Sequence, residues 1–351
     1  LALGLAIILF LLAPLAWYLM TYFMLPDVEV LQQAKLYFDI RMVSVPAILL
    51  RYVAIGWLLG MQNAKGPLAI MLATNLVNIV LDVYFVNRLG MTVDGVAWAS
   101  LIADYSGLMV GSYIIYRHCQ TLEITGRLRG LIDISYLKRL LNINRDIFIR
   151  TLALGLVFHL ITTVGSNLSG PVLAANAVLM NFVMIMSYGL DGFAHAVESL
   201  SGKALGRNNR EEFFRAIFVT GLWSLLCSMF FVAAYWLCGT DIILLMTDLE
   251  DVATTANNYL TYLIWLPLLA VWSYWLDGIF IGITKARAMR DSMLFAVFMV
   301  FIPLLFLVTV FENDGLWLAF YGFMIARGLS LGIVLVMLDK RNQLFLSSTT
   351  P

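Results

Sequence analysis

Long, continuously apolar segments dominate the chain, and short stretches rich in Pro, Gly and charged residues separate them. They lack the period-two alternation of β-barrel strands, so the pattern predicts helices. A helix that crosses the hydrocarbon core of a bilayer needs about 20 apolar residues, and ten segments have that length. The predicted spans are 1–24, 35–61, 67–87, 95–116, 146–167, 171–200, 213–238, 255–283, 291–311 and 316–338.

Composition supports a polytopic membrane protein. The chain has 351 residues, of which 62% are hydrophobic and 13% are charged, whereas soluble domains have about 25% charged residues. Its 22 basic and 22 acidic residues balance, so no excess positive charge favours nucleic acid. The 3 cysteines form no CxxC pair, which argues against a disulfide framework and a thiolate zinc site. We expect no metal site and no cofactor.

Basic residues alternate between connections and predict the orientation. They concentrate in the longest loop, 117–145, in the loops after spans six and eight, and in the C-terminal tail. Connections on the opposite side carry acids instead. These are Asp27, Glu29, Asp241, Asp248, Glu250, Asp251, Glu312 and Asp314. The positive-inside rule therefore predicts that both ends of this chain lie in the cytoplasm.

Self-comparison indicates an internal duplication, because spans one to four align with spans seven to ten. Shifts of 220 to 222 residues match Gly56, Gly60 and Ala64 with Gly278, Gly282 and Ala286; Asp94-Gly95 with Asp314-Gly315; and Gly107 and Gly111 with Gly328 and Gly332. The shift crosses six spans, an even number, so the repeats are parallel.

We expect two pseudo-twofold-related helical lobes holding ten of twelve helices. We also expect residues 1–351 alone to be inactive.

The resulting domain prediction has four parts. Residues 1–116 form an N-terminal lobe lacking its first two helices, 117–145 a cytoplasmic linker, 146–338 a C-terminal lobe of six spans, and 339–351 a cytoplasmic tail. Gly-xxx-Gly pairs are predicted to let helices approach closely. These pairs are 56/60, 107/111, 202/206, 278/282 and 328/332.

Ionisable residues at membrane depth are the candidates for ion coupling, since each costs about 2.5–3.5 kcal/mol on insertion scales. Asp191, His195 and Glu198 share one helical face at spacings i, i+4 and i+7. They form either a proton or cation path or an internal network that packs helices. Asp277 and Asp104 are further coupling candidates.

Two arginines at membrane depth, Arg327 and Arg51, are predicted to be structural counter-ions of Asp277 and Asp104. Arg41 lies one turn into its span, where we expect it to reach the membrane interface. Polar and methionine side chains on other helices are candidates for a substrate cavity, with lipid or core contact as the alternative. The cavity candidates are Asn181, Met184, Tyr188, Asn75 and Asn78.

Several short motifs along the chain resemble the MATE (multidrug and toxic compound extrusion) family, and within it the DinF subfamily. They include GWLLG at 56–60, NLVNIVLD at 75–82, NAVLM at 176–180, LDGFA at 190–194 and GKALG at 202–206. The resemblance implies a bacterial inner-membrane exporter with two six-helix lobes. Such proteins exchange organic, often cationic or amphipathic, compounds for H⁺ or Na⁺. We expect a monomer that is not an enzyme and binds no nucleic acid.

The sequence departs from the family pattern at the residues that couple ions. The DinF-like branch places a coupling aspartate in a first helix that this chain does not contain. The NorM-like branch uses acidic residues where Leu154 and Tyr274 stand here, with Asp277 about one turn away.

The alternatives to an exporter are a flippase for lipid-linked precursors, a non-transporting membrane scaffold and a membrane enzyme. No Walker A, DDxxD or HExxH motif supports ATP-driven or enzymatic chemistry.

Overall fold

The computed structural model describes residues 1–24, 28–121, 134–341 and 343–345, and all regular structure in these ranges is helical. The predicted all-α class is therefore confirmed. The linker residues Arg127 and Arg129, the connection residue Asp27 and the tail from residue 346 lie outside the described ranges. The first eight helices are α1 (Ala2–Met24), α2 (Val28–Gly60), α3 (Lys65–Asn87), α4 (Val93–Thr121), α5 (Ile134–Ser166), α6 (Gly170–Gly206), α7 (Arg210–Met246) and α8 (Glu250–Gly282).

The last helical stretch is a hairpin. It comprises α9 (Ala286–Phe295), a π-helical turn (Ala296–Phe301), the short α10 (Ile302–Leu304), a 3₁₀ turn (Leu305–Leu307) and α11 (Val308–Lys340). As one straight helix its 55 residues would be about 80 Å long, against a hydrocarbon core of about 30 Å. Glu312 breaks the helix with φ 50° and ψ −126°. The hydroxyls of Ser292 and Ser330 lie 2.5 Å apart across the two arms, so the predicted spans 291–311 and 316–338 are those arms.

Most helices have membrane-spanning length and composition. Within the described ranges, 8 helical stretches are long and apolar enough to cross a membrane. The hairpin counts as one of them although its two arms run antiparallel. Helix α4 has 29 residues and is not among these stretches; it carries Asp94 and Asp104.

The chain forms two compact units, residues 1–129 and 130–351. In unit 1, α2 packs against α1, α3 and α4; in unit 2, α8 packs in the same way against α7, α9 and α11. The glycine contacts are also equivalent. A Cβ atom at Gly107 would lie 3.1 Å from Arg51 of α2, and one at Gly328 would lie 3.5 Å from Ser273 of α8. The duplicated sequence therefore corresponds to duplicated packing.

Backbone-to-backbone packing joins α6 and α8 in unit 2. A Cβ atom at Gly278 would overlap the carbonyl oxygen of Ala194, and one at Gly282 would overlap that of Glu198. Close packing was expected for most of the Gly-xxx-Gly residues, and it is present at these glycines but not at Gly56 and Gly60 in the described structure. Added Cβ atoms there would meet no atom of the described structure within 4 Å.

The core of unit 2 also contains a buried amide pair near the hairpin tip. Asn176 of α6 donates to Asn313 at 2.7 Å, and Asn313 donates back at 3.1 Å. The Trp317 indole donates to the same Asn176 oxygen at 3.2 Å. A buried amide is tolerated only where its polar atoms find partners, so this pair anchors α6 to the start of the second arm.

Candidate functional site

Helix α6 positions the candidate site of unit 2, and its start is well defined. The Ser169 hydroxyl accepts a hydrogen bond from the Val172 amide at 3.3 Å, and Pro171 stands in the first turn. A serine N-cap followed by proline is a favoured helix start, because the cap satisfies a free amide and proline needs none. The helix then runs for 37 residues. It carries six of the predicted site residues, namely Asn181, Met184, Tyr188, Asp191, His195 and Glu198.

One face of α6 is open on the surface of unit 2. Asn181, Met184 and Tyr188 are exposed there, Tyr188 to 75%. His195 continues the same face and is also exposed. The Asn181 amide donates to the Ala177 carbonyl of its own helix at 3.1 Å, so it does not bond across helices. Three predicted cavity residues thus share one exposed face of α6.

Asp191 lies on this helix between Tyr188 and His195 and is half-buried. In the part of the chain that the structure describes, its carboxylate has neither a hydrogen bond nor an ion pair. It interacts electrostatically with His195, Asp277, Arg150 and Arg327. On the predicted acidic face, His195 therefore pairs with Glu198 at 3.3 Å, whereas Asp191 forms no ion pair among the described residues.

Asp277 of α8 lies beside this carboxylate and is held by two arginines. Arg327 of α11 donates to Asp277 at 2.7 Å, and Arg150 of α5 forms a second, short contact with the same oxygen. All three side chains are largely buried, with Arg327 exposed to 3%. The predicted pairing of Asp277 with Arg327 is observed. Arg150 was missed, because 127 residues separate it from Asp277.

Tyr274 connects the two acidic positions. Its hydroxyl lies 2.5 Å from that of Ser187, one turn before Asp191. The Arg327 guanidinium stands over the Tyr274 ring at 5.8 Å. Since Tyr274 is one turn before Asp277 and Ser187 is one turn before Asp191, this contact links α8 to α6 near both carboxylates.

Unit 1 contains a second aspartate between two arginines. Asp104 of α4 accepts from Arg41 at 2.8 Å and lies 3.0 Å from Arg51, both on α2. Arg51 also donates to Thr74 of α3 at 3.1 Å. The pairing of Arg51 with Asp104 agrees with the prediction. Arg41, which we expected to reach the membrane interface, instead binds Asp104.

The asparagines of α3 occupy different environments. The Asn78 amide donates to Ser100 of α4 at 3.3 Å, so it links two helices of unit 1. Asn75 is exposed and has no hydrogen-bond partner among the described residues. No group of three His, Cys, Asp or Glu side chains in the described ranges is arranged to hold a metal ion.

The chain is similar to known proteins over most of its length. A family model described as MatE matches residues 1–84 and 147–308. DNA damage-inducible protein F of Escherichia coli K12 is 39% identical over 305 residues, covering 87% of this chain and 66% of that protein. Protein DETOXIFICATION 44, chloroplastic, of Arabidopsis thaliana is 21% identical over 294 residues, covering 84% of this chain and 55% of that protein. The chain therefore spans 55–66% of the lengths of these two relatives.

Solved structures share the fold. A MATE crystallised in complex with MaL6 has a TM-score of 0.85 at 20% identity, covering 97% of this chain and 77% of that one. The MATE transporter VcmN of Vibrio cholerae in its bent form has a TM-score of 0.84 at 18% identity, with 98% and 78% covered. At these identities the likeness establishes the arrangement of helices, and the chemistry must be argued from the residues of this chain.

Proposed function

The chain belongs to the MatE family, and from that premise we propose that the protein is a secondary-active exporter of small organic, cationic or amphipathic compounds. Export is coupled to inward movement of H⁺ or Na⁺ through alternating access of the two helical units. We further propose that the protein resides in a bacterial inner membrane as a monomer, with both ends of this chain in the cytoplasm.

One observation carries the proposal: Asp191 is a carboxylate at membrane depth that forms no direct ion pair or hydrogen bond among the described residues. The aspartates of the two arginine clusters, Asp104 and Asp277, are already compensated by cations. Asp191 has neither an ion pair nor a hydrogen bond among the described residues, and a charge at membrane depth is costly. Binding of H⁺ or Na⁺ would remove that charge, which makes Asp191 the preferred coupling residue.

The surroundings of Asp191 suggest how its charge acts on other helices. When Asp191 is ionised, it attracts Arg150 and Arg327 of α5 and α11, which also bind Asp277. When a bound cation neutralises Asp191, Arg150 and Arg327 interact with Asp277 alone. The Nε atom of Arg150 is buried without a hydrogen-bond partner in the described structure, so this guanidinium has unused capacity to change partners. The coupling ion would thereby alter contacts among three helices.

The exposed face of α6 carries side chains that suit an organic substrate. Tyr188 offers an aromatic surface for cations, and Met184 adapts to ligands of different shape. These side chains adjoin Asp191, so substrate and coupling ion would meet on the same helix. His195, Glu198, Asn75 and Asn78 remain secondary candidates for these roles.

The charge pattern favours an exporter over a flippase for lipid-linked precursors. A diphosphate headgroup requires cationic side chains that are free to donate to it. In both arginine clusters the guanidinium groups are bound to aspartates: Arg41 and Arg51 to Asp104, and Arg150 and Arg327 to Asp277. A scaffold, in turn, would have no need of an uncompensated carboxylate beside an open helix face.

The test is gradient-driven transport by the full-length gene product in proteoliposomes. A fluorescent organic cation is followed while a pH gradient or a Na⁺ gradient is imposed. We expect Asp191→Asn to abolish gradient-driven transport while dye binding persists, because the variant keeps the shape of the side chain and removes its titration. Asp251→Asn, an exposed acid in the first turn of α8, is the matched control and should transport normally. Unchanged transport by Asp191→Asn would reject the role of this residue.

A further inference from the structure

An apolar groove runs along the outer surface of unit 2 between α8 and α11, and nothing in the proposed transport mechanism uses it. Its volume is about 900 Å³. The side chains that line it are apolar except for Lys340, which lies at one end. On α11 the exposed residues Ile325, Leu329 and Ile333 follow one another at intervals of four, so they form a continuous strip along the helix.

A second groove of about 530 Å³ lies between α8 and α7. Both grooves are lined by Trp272 and Trp275, whose rings are 6.2 Å apart and nearly perpendicular. The Trp275 indole donates to Thr220 of α7 at 3.1 Å, which holds it in place. The two tryptophans therefore form a ridge with one apolar groove on each side.

The two grooves lead to the same basic end of the unit. The first ends at Lys340, and Phe214 of the second lies under the Arg210 guanidinium at 5.4 Å. Arg210 binds Asp339 at 2.8 Å, so the start of α7 and the end of α11 are adjacent. Lys340 is exposed and has no ion pair among the described residues. With Arg207 and Arg341 this end carries four basic residues, against the three acids Glu211, Glu212 and Asp339.

The dimensions fit one leaflet of a membrane. From Ile325 to Lys340 the groove follows 15 helical rises, about 22 Å, whereas one leaflet contributes about 15 Å of hydrocarbon plus its headgroup region. A lysine at the end of such a helix reaches the interface, where anionic headgroups lie.

We propose that this pair of grooves is a binding site for an anionic diacyl phospholipid. One acyl chain lies on each side of the Trp272–Trp275 ridge, and the phosphate lies near Lys340. Charge complementarity selects the headgroup, because each cation near an anionic surface favours binding by about fivefold. The apolar strips accept the chains without a specific contact.

The test is native mass spectrometry of the full-length protein released from detergent with equal amounts of phosphatidylglycerol and phosphatidylcholine bearing identical chains. We expect preferential retention of phosphatidylglycerol. Lys340→Gln should lower this preference about fivefold, whereas Lys65→Gln, in unit 1, should leave it unchanged. Gly332→Leu fills the groove, since a Cβ atom at Gly332 has only Leu276 nearby at 3.8 Å, and it should reduce retention of both lipids.

Gly155→Leu is the control for added bulk, because a Cβ atom at Gly155 meets no atom within 4 Å and Gly155 lies on α5, outside the grooves. Equal lipid retention by the unmodified protein and Gly332→Leu would overturn the proposal. So would equal retention of the two lipids together with no effect of Lys340→Gln. A lipid-free dimer that Gly332→Leu dissociates would instead identify the groove as a contact between copies of the protein, and this too would overturn it.

Discussion

Arg327 donates a 2.7 Å hydrogen bond to Asp277, and this pair joins α11 to α8, the repeat counterparts of α4 and α2. In unit 1 the same two helices are joined by Asp104 and Arg51, 3.0 Å apart. The acid therefore lies on the earlier helix in unit 2 and on the later helix in unit 1. Duplication has retained a buried ion pair between equivalent helices while the two charges have changed places.

Removing the Asp277 charge should destabilise the protein strongly. Asp277→Asn leaves Arg327 and Arg150 without their carboxylate partner in a buried setting. Breaking one side of a buried ion pair costs about 3–5 kcal/mol, so we expect a correspondingly lower free energy of unfolding. Thermal unfolding of the purified protein in detergent measures the change.

The control for that experiment is Asp291→Asn. Asp291 pairs with Arg290, but its side chain is 54% exposed, and exposed pairs contribute about 1 kcal/mol or less. A similar loss of stability in both variants would show that the Asp277 cluster carries no special structural weight.

Close packing at Gly278 should make it intolerant of alanine. A Cβ atom there overlaps the Ala194 carbonyl, so Gly278→Ala must push α6 and α8 apart. Overpacking of this kind costs about 1–3 kcal/mol, against a gain in helix propensity of up to about 1 kcal/mol. We expect a lower melting temperature and, because α6 carries Asp191, slower transport.

Gly155→Ala is the matched control, since an added Cβ atom meets nothing there within 4 Å. It should be neutral or slightly stabilising. If Gly278→Ala were as stable as Gly155→Ala, the described separation of α6 and α8 would be incorrect.

The backbone at Glu312 should favour glycine. Its φ of 50° with ψ of −126° is a conformation that residues with a side chain adopt at a cost of about 1–3 kcal/mol. Glu312→Gly should therefore raise the free energy of unfolding by about 1 kcal/mol, and the β-branched Glu312→Val should lower it. Chemical unfolding in mixed micelles compares the three proteins.

Phe311→Gly tests whether the preference is local. Phe311 is exposed and precedes Glu312 in the hairpin, so glycine there brings only its ordinary helix penalty of about 1 kcal/mol. Destabilisation by both glycine substitutions would contradict a strained turn at Glu312.

Much of the fold followed from the sequence, because lipid imposes a simple rule. Every backbone amide and carbonyl must be paired within the membrane, so each long apolar segment has to be helical. The repeat was also visible, since the glycines and the Asp-Gly pair keep their order under shifts of 220 to 222 residues. A charged side chain at membrane depth also needs a partner. The sequence therefore identified four charges that required one, namely Asp277, Asp104, Arg327 and Arg51.

Tertiary structure decided which faces and partners these residues have. Helices that are apolar on every side show little periodicity, so the sequence did not reveal that Gly278 packs against α6 while Gly56 is open in the described structure. Arg150 and Asp277 meet only because α5 and α8 fold into one unit, 127 residues apart in sequence. The sequence pattern identifies which charges must be compensated. Contact between distant helices determines that Asp104 and Asp277 pair with arginines, whereas Asp191 forms no ion pair among the described residues.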